Sequence, residues 1–263
     1  MSKIISIHSF RGGTGKSNLT ANLAVNIAMR GNRVGIVDTD IQSPGIHVLF
    51  GLNDEKIGKT INDYLWGTAT IDEVAYPLHE VVSGEPERSF LKDTKIWLIP
   101  SSSRTEEISR ILQQGYNVSI LNQGLHSLIV TLGLDYLFID THPGINEETL
   151  LSIAISHGLI LIMRPDQQDF QGTAVTVDIA RQLEVPQLRI VINKILSQHD
   201  PALLRTDIAE TYGVPVCGVL PLSEDVAANA SNNIFSVLYP GHIWSKGIEE
   251  IAEEVVGFDA IYR

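Results

Sequence analysis

The chain opens on a short apolar run, Lys3-Ile4-Ile5-Ser6-Ile7-His8-Ser9, whose β-branched residues fit a buried parallel strand. Residues 18–30 then carry Leu19, Leu23, Val25, Ile27 and Met29 among alanines and polar residues, which predicts a helix stopped by Gly31-Asn32. A second strand is expected at 33–37. The next fifty residues are less periodic: 49–52 reads as a helix end, 60–67 as a short amphipathic helix, 79–82 as a hairpin strand and 83–89 as a polar loop. Periodicity returns with a strand at 95–100. Ser103-x-x-Glu106 forms a capping-box pattern for a helix near 104–114. Residues 116–132 repeat with helical period, with Ile120, Leu121, Leu125, Leu128 and Ile129 on one face. Apolar strands follow at 136–140, 158–163, 189–194 and from 217, separated by helical stretches. This alternation predicts an α/β fold, doubly wound, with a mainly parallel sheet and helices on both faces. No composition shift marks a domain boundary, so one domain over 1–263 is expected.

Chemistry concentrates where these elements join. Between the first strand and the first helix lies Arg11-Gly12-Gly13-Thr14-Gly15-Lys16-Ser17-Asn18. Glycines let backbone N–H groups turn inward, the following helix start adds positive potential, and Lys16 supplies a cation, so the run forms a phosphate cradle. The longer pattern G-x-x-x-x-G-K-[ST] fails because Phe10 holds its first position, but the G-G-x-G-K-[ST] core is intact. The second strand ends in Asp38-Thr39-Asp40, at the edge where open α/β sheets bind ligands. Tyr136-Leu137-Phe138-Ile139-Asp140 is an apolar strand ending in an acid, the arrangement that holds a magnesium water shell in nucleotide sites.

With Arg11 ahead of the paired glycines, the run resembles the deviant phosphate loop of the ParA/MinD family of P-loop ATPases, in which a signature lysine stands at that place. The resemblance covers most of the chain, in family order: phosphate loop, D-x-D, acid-terminated strand, Asn193-Lys194, and Pro221 with Val226 five residues on. It implies ATP and Mg²⁺ as cofactors, and a homodimer that sandwiches two ATP molecules. It assigns the phosphates to Gly12, Gly13, Thr14, Gly15, Lys16, Ser17 and Asn18, and Mg²⁺ to Ser17, Asp40 and Asp140. Asp38 would orient or deprotonate the attacking water and Asp40 would act near the metal, the division between them being open. Asn193 and Pro221 would meet adenine. Arg11 either reaches the other subunit's nucleotide, as the family lysine does, or pairs locally; Arg and Lys differ in geometry as well as hydration. A second departure is His142, where the family pattern D-[TC]-P-P-[GS] has proline. It reads as a hydrogen-bonding or packing residue rather than a general base.

Composition narrows the alternatives. One cysteine, Cys217, excludes a disulfide framework or a cysteine-held iron–sulfur cluster within the chain and fits a reducing cytoplasm. The scattered histidines show no metal-ligand spacing, so no zinc site is expected. A net charge of −12 argues against a protein basic all over, but a few placed cations suffice for phosphate contacts. Arg181, Lys194, Arg205 and Lys246 are candidates for non-specific DNA binding. The amphipathic stretch at 247–258 is acidic, unlike the membrane-binding tails of MinD-type proteins, so a packed closing helix and no membrane partner are expected. The resemblance therefore implies a cytoplasmic, nucleoid-associated ATPase. It would position a cargo such as a plasmid, a chromosome or, as in the McdA-like branch, a carboxysome, with an adaptor protein stimulating hydrolysis. The alternative is a nucleotide-gated regulatory binding protein of the same fold.

Overall fold

The computed structural model describes residues 2–53, 55–82 and 85–258. Eight strands form one sheet in the order β3-β4-β2-β5-β1-β6-β7-β8. They are β1 Lys3–His8, β2 Arg33–Asp38, β3 Tyr76–Pro77, β4 Lys95–Ile99, β5 Tyr136–Asp140, β6 Gly158–Met163, β7 Gln187–Ile195 and β8 Val216–Pro221. Among the described residues only the two-residue β3 runs antiparallel to its neighbour. The doubly wound, mainly parallel architecture expected from the alternation is the one formed.

The helices are α1 Lys16–Met29, α2 Ile46–Leu49, α3 Ile61–Leu65, α4 Leu78–Val81, α5 Thr105–Gln114, α6 Val118–Leu132, α7 Glu147–Ala154, α8 Gln167–Gln182, α9 Pro201–Tyr212, α10 Glu224–Ala228, α11 Phe235–Leu238 and α12 Ile243–Val256. Successive residues of a strand point to opposite faces. Ile5 and Ile7 of β1 therefore enter the core shared with α1 and α12, while Ile4 enters the one shared with α6. Both faces are covered, which is why the inner strands are near-continuous in Ile, Leu and Val. α12 packs its Ile248, Ile251, Ala252 and Val255 into the core and leaves Glu249, Glu250, Glu253 and Glu254 outside. The acidic stretch is a closing helix.

Three local expectations are corrected. Residues 79–82 do not form a hairpin strand. Leu78 and Val82 are both buried, and Val82 N donates to Leu78 O at 3.1 Å, which closes a helical turn, so α4 forms instead. The polar loop contains a 3₁₀ turn, Pro86–Leu91, drawn in by the buried Leu91; Ser83 and Gly84 of that expectation lie outside the described residues. The Ser103–Glu106 capping box does not open α5. Arg104 holds the N-cap place with no side-chain cap, because its own N–H donates to Ser102 Oγ at 3.2 Å and sets the entry of the chain. A capping box does form at α3, between Thr60 and Asp63.

Candidate nucleotide site

The loop between β1 and α1 needs glycine at two places. Gly13 and Gly15 sit at φ 76° and 100°, a region that side chains with a Cβ resist. Gly15 is the N-cap of α1, and no side chain caps that end. First-turn amides are thus left open where the helix potential is positive, which suits a phosphate oxygen. The Thr14 hydroxyl is buried without a partner among the described residues. The loop is braced from below by the end of β7: Asn193 Nδ2 donates to Thr14 O at 2.8 Å and Lys194 Nζ donates to Gly13 O at 2.8 Å. A Cβ on Gly15 would lie 2.7 Å from Asn193 Nδ2. Gly15→Ala is therefore expected to destabilise the protein by about 1–3 kcal/mol and to cost nucleotide affinity, read by thermal melts with and without ATP.

The acids arrive by register. β2 and β5 are parallel neighbours with Asp38 opposite Asp140, so both carboxylates emerge together at the C-terminal edge of the sheet. Both are buried. Burial raises the Asp140 carboxyl to about 6, against relief from the Ser17 hydroxyl and Lys16. Asp38 is raised well above its usual range, first by burial and then by Asp140, although Asp40 N and Gly45 N donate to its two oxygens at 3.0 and 3.3 Å. Lys16 is itself mostly buried. Burial lowers its pKa, while Asp140, Asp40 and Asp38 pull it back up. One buried ammonium thus faces the field of three carboxylates at the mouth of a glycine loop.

These residues fit the cofactors the sequence implies. The unpartnered Thr14 hydroxyl, the uncapped start of α1 and Lys16 suit an anion, and the Ser17 hydroxyl beside Asp140 and Asp40 forms the hard-oxygen donor set that Mg²⁺ prefers. Asn18 lies on the same first turn, its Nδ2 donating to Ser231 Oγ at 3.4 Å. Asn193, expected to meet a base edge, has both ends of its amide engaged: Nδ2 on the loop, Oδ1 accepting from Lys194 N at 2.9 Å. Pro221 pairs with Ile195 at the irregular end of the β7–β8 ladder.

Sequence reading missed two histidine contacts. His8, the last residue of β1, donates from Nδ1 to Thr141 Oγ1 at 2.7 Å, because that hydroxyl already donates to Ile7 O. Burial, with Lys16 and His142 nearby, holds His8 down to about 3, so it is neutral, and its Nε2 has no partner among the described residues. His142 Nδ1 lies 2.6 Å from Asp40 Oδ1. Position was the available signal, since both histidines sit at C-terminal strand ends, the ligand edge of such sheets.

The outer flank is also specific. Arg11 donates to Gln168 at the start of α8. The Phe10 ring fills the space above Gly172, where a Cβ would come within 2.3 Å of it. Arg164 grips the buried Asp169 with Nε and Nη2 at 3.0 and 3.2 Å, fixing the entry of α8. The candidate DNA contacts lie on four different elements, α8, β7, α9 and α12. Arg181 donates to Tyr212 O, Arg205 to Val216 O and Lys194 to the phosphate loop, while Lys246 is exposed on α12. A cavity of about 710 Å³ beside His79, Arg88 and Lys92 shares no lining residue with the phosphate loop.

Comparison with known proteins places the site in context. The CobQ/CobB/MinD/ParA nucleotide binding domain profile matches residues 5–237. An uncharacterized ATP-binding protein of Methanocaldococcus jannaschii, MJ0547, is 28% identical over 258 residues, covering 98% of this chain and 89% of that protein. The septum site-determining protein MinD of Pyrococcus horikoshii, solved with Mg-ADP, superposes with a TM-score of 0.78 at 21% identity, over 99% of this chain and all of that one. A putative plasmid partition protein of Borrelia burgdorferi, solved with AMPPNP, gives a TM-score of 0.76 at 22% identity, over 97% of this chain and 99% of that one. The expected family resemblance and fold are both upheld, and the profile spans most of the chain: the chain belongs to the CobQ/CobB/MinD/ParA family of nucleotide-binding domains.

Proposed function

We propose that the protein is a dimerising, Mg²⁺-dependent ATPase, a single domain over 1–263, whose ATP-bound dimer holds DNA non-specifically and positions a cargo. Hydrolysis, stimulated by an adaptor protein, resets it. The observation that carries the reading is the buried Lys16 set between the phosphate loop and Asp38, Asp40 and Asp140. Gly12, Gly13, Thr14 and Gly15 cradle the phosphates with the first-turn residues Lys16, Ser17 and Asn18. Bound Mg²⁺ would neutralise phosphate charge, held by the Ser17 hydroxyl and, through water, by Asp40 and Asp140. Asp38 orients the attacking water. Arg11 lies on the rim of the loop, where it serves the phosphates of a second copy. Pro221 and Asn193 take the base. The acidic outer face of α12 disfavours anionic lipid, and among the described residues no helix is long and apolar enough to cross a membrane.

Sedimentation with ATP, ADP and no nucleotide tests the first half, the expected result being dimers with ATP alone. DNA binding tests the second half. It should require ATP, ignore sequence, and weaken steeply between 50 and 200 mM salt. Equal DNA binding without nucleotide, or a monomer in saturating ATP, overturns the reading. Arg181, Arg205 and Lys194 each already donate to a backbone carbonyl of the chain, which favours a second reading, a nucleotide-gated regulator that binds a protein partner. ATP turnover and dimerisation without any DNA binding would select it.

A further inference from the structure

Asp40 lies just past the end of β2, in a loop with few fixed points. Its own N–H and that of Gly45 are bonded to the Asp38 carboxylate. The side chain has a separate anchor. Asp40 Oδ1 accepts from Ser43 N at 3.1 Å and from His142 Nδ1 at 2.6 Å. Oδ2 accepts no hydrogen bond among the described residues. His142 is in turn held by α7, whose Thr149 Oγ1 donates to His142 O at 3.3 Å while Asn146 caps the helix. The two side chains are only 22% and 14% exposed, so water screens their contact less than it would a surface pair. The field of Asp40 reaches Lys16, Asp38 and Asp140, the groups around the phosphate loop.

We propose that His142 is a positioning residue for Asp40: it fixes one carboxylate oxygen and so leaves the other presented to the hydrated cation. This rests on the ATPase reading above. Proline, which the family pattern sets at this place, carries no side-chain donor, so the tether belongs to this chain's histidine. The bond spans 102 residues and ties the loop after β2 to the end of β5. It thereby sets the carboxylate's direction before any nucleotide arrives. A direction fixed in advance costs no reorganisation during the reaction.

The test compares wild type with His142→Ala and His142→Asn, whose amide nitrogen can reach the place of Nδ1. Two readouts are taken: amide hydrogen exchange over residues 40–45 in nucleotide-free protein, and steady-state ATP hydrolysis. His142→Ala should speed exchange in that segment and lower kcat roughly tenfold, the worth of one charge-assisted hydrogen bond, with KM for ATP within about twofold. His142→Asn should recover most of both. Asp40→Asn should cost less in the His142→Ala background than in wild type. Unchanged exchange in His142→Ala, or an Asn variant no better than Ala, overturns the proposal. If the wild-type protein hydrolyses no ATP, the ATPase reading fails, while the exchange comparison still decides whether the tether exists.

Discussion

Lys16→Ala is expected to abolish ATP binding and turnover, with hydrolysis falling by at least about 100-fold. The reason is electrostatic as much as steric. Asp38 and Asp140 are buried and Asp40 adds its charge at the rim, so without the ammonium a triphosphate meets these acids with no buried cation beside them. Lys16→Arg is not expected to rescue binding. Its planar fork is bulkier than the ammonium and the Lys16 side chain sits in a buried position. Titration with a fluorescent ATP analogue, alongside phosphate release, measures both effects. Retained micromolar affinity in Lys16→Ala would show that the nucleotide sits elsewhere.

Asp140→Asn is expected to act in opposite senses on stability and on function. A carboxyl whose pKa is raised by folding contributes stability below its unfolded value and loses it as pH climbs through the folded value. For Asp140 that window runs from about 4 to about 6, so at pH 7 the wild-type protein carries a buried charge at a cost. Burial is the leading cause, and the neutral amide removes that cost. The nucleotide-free variant should therefore be more stable at pH 7 by about 1–3 kcal/mol, a rise of about 2–5 °C in Tm, while the Mg²⁺-dependent gain on adding ATP disappears. The difference in Tm between variant and wild type should shrink as pH falls below about 5. Asp38→Asn should move the same way, since burial and Asp140 both raise its carboxyl. A variant less stable than wild type at pH 7 would show that the carboxylate is compensated inside the fold after all. Calorimetry across pH 4–8 gives the answer.

Much of this site can be read from residues close in sequence. Gly12 to Ser17 form a contiguous loop, and each acid closes its own apolar strand, so the local pattern carries the signal. The parallel register that sets Asp38 opposite Asp140 follows once β2 and β5 are neighbours. What could not be read depends on contacts between distant segments. His142 meets Asp40 across 102 residues and His8 meets Thr141 across 133. Singly spaced histidines carry no periodic signature that would announce such pairs. The errors have a different origin. At 79–82 the apolar spacing suits a strand or a helical turn equally, and the hydrogen bond from Val82 N back to Leu78 O closes the turn. At 103–106 the capping pattern was present, but the hydrogen bond from Arg104 N to Ser102 Oγ set the chain's entry one residue later. Asn193, expected to meet adenine, has backbone atoms of the chain itself as its present partners.

The seat of the Phe10 ring above Gly172 has a mechanical consequence. The aromatic ring rests on the flank of α8 at Gly172, and Arg11 is tied to Gln168 one turn earlier on the same helix. A bend that tightens around an anion must carry the ring with it, and the ring bears directly on the helix backbone. A shift of the bend on taking up an anion would thus be passed through the ring to the start of α8, with no loop having to close.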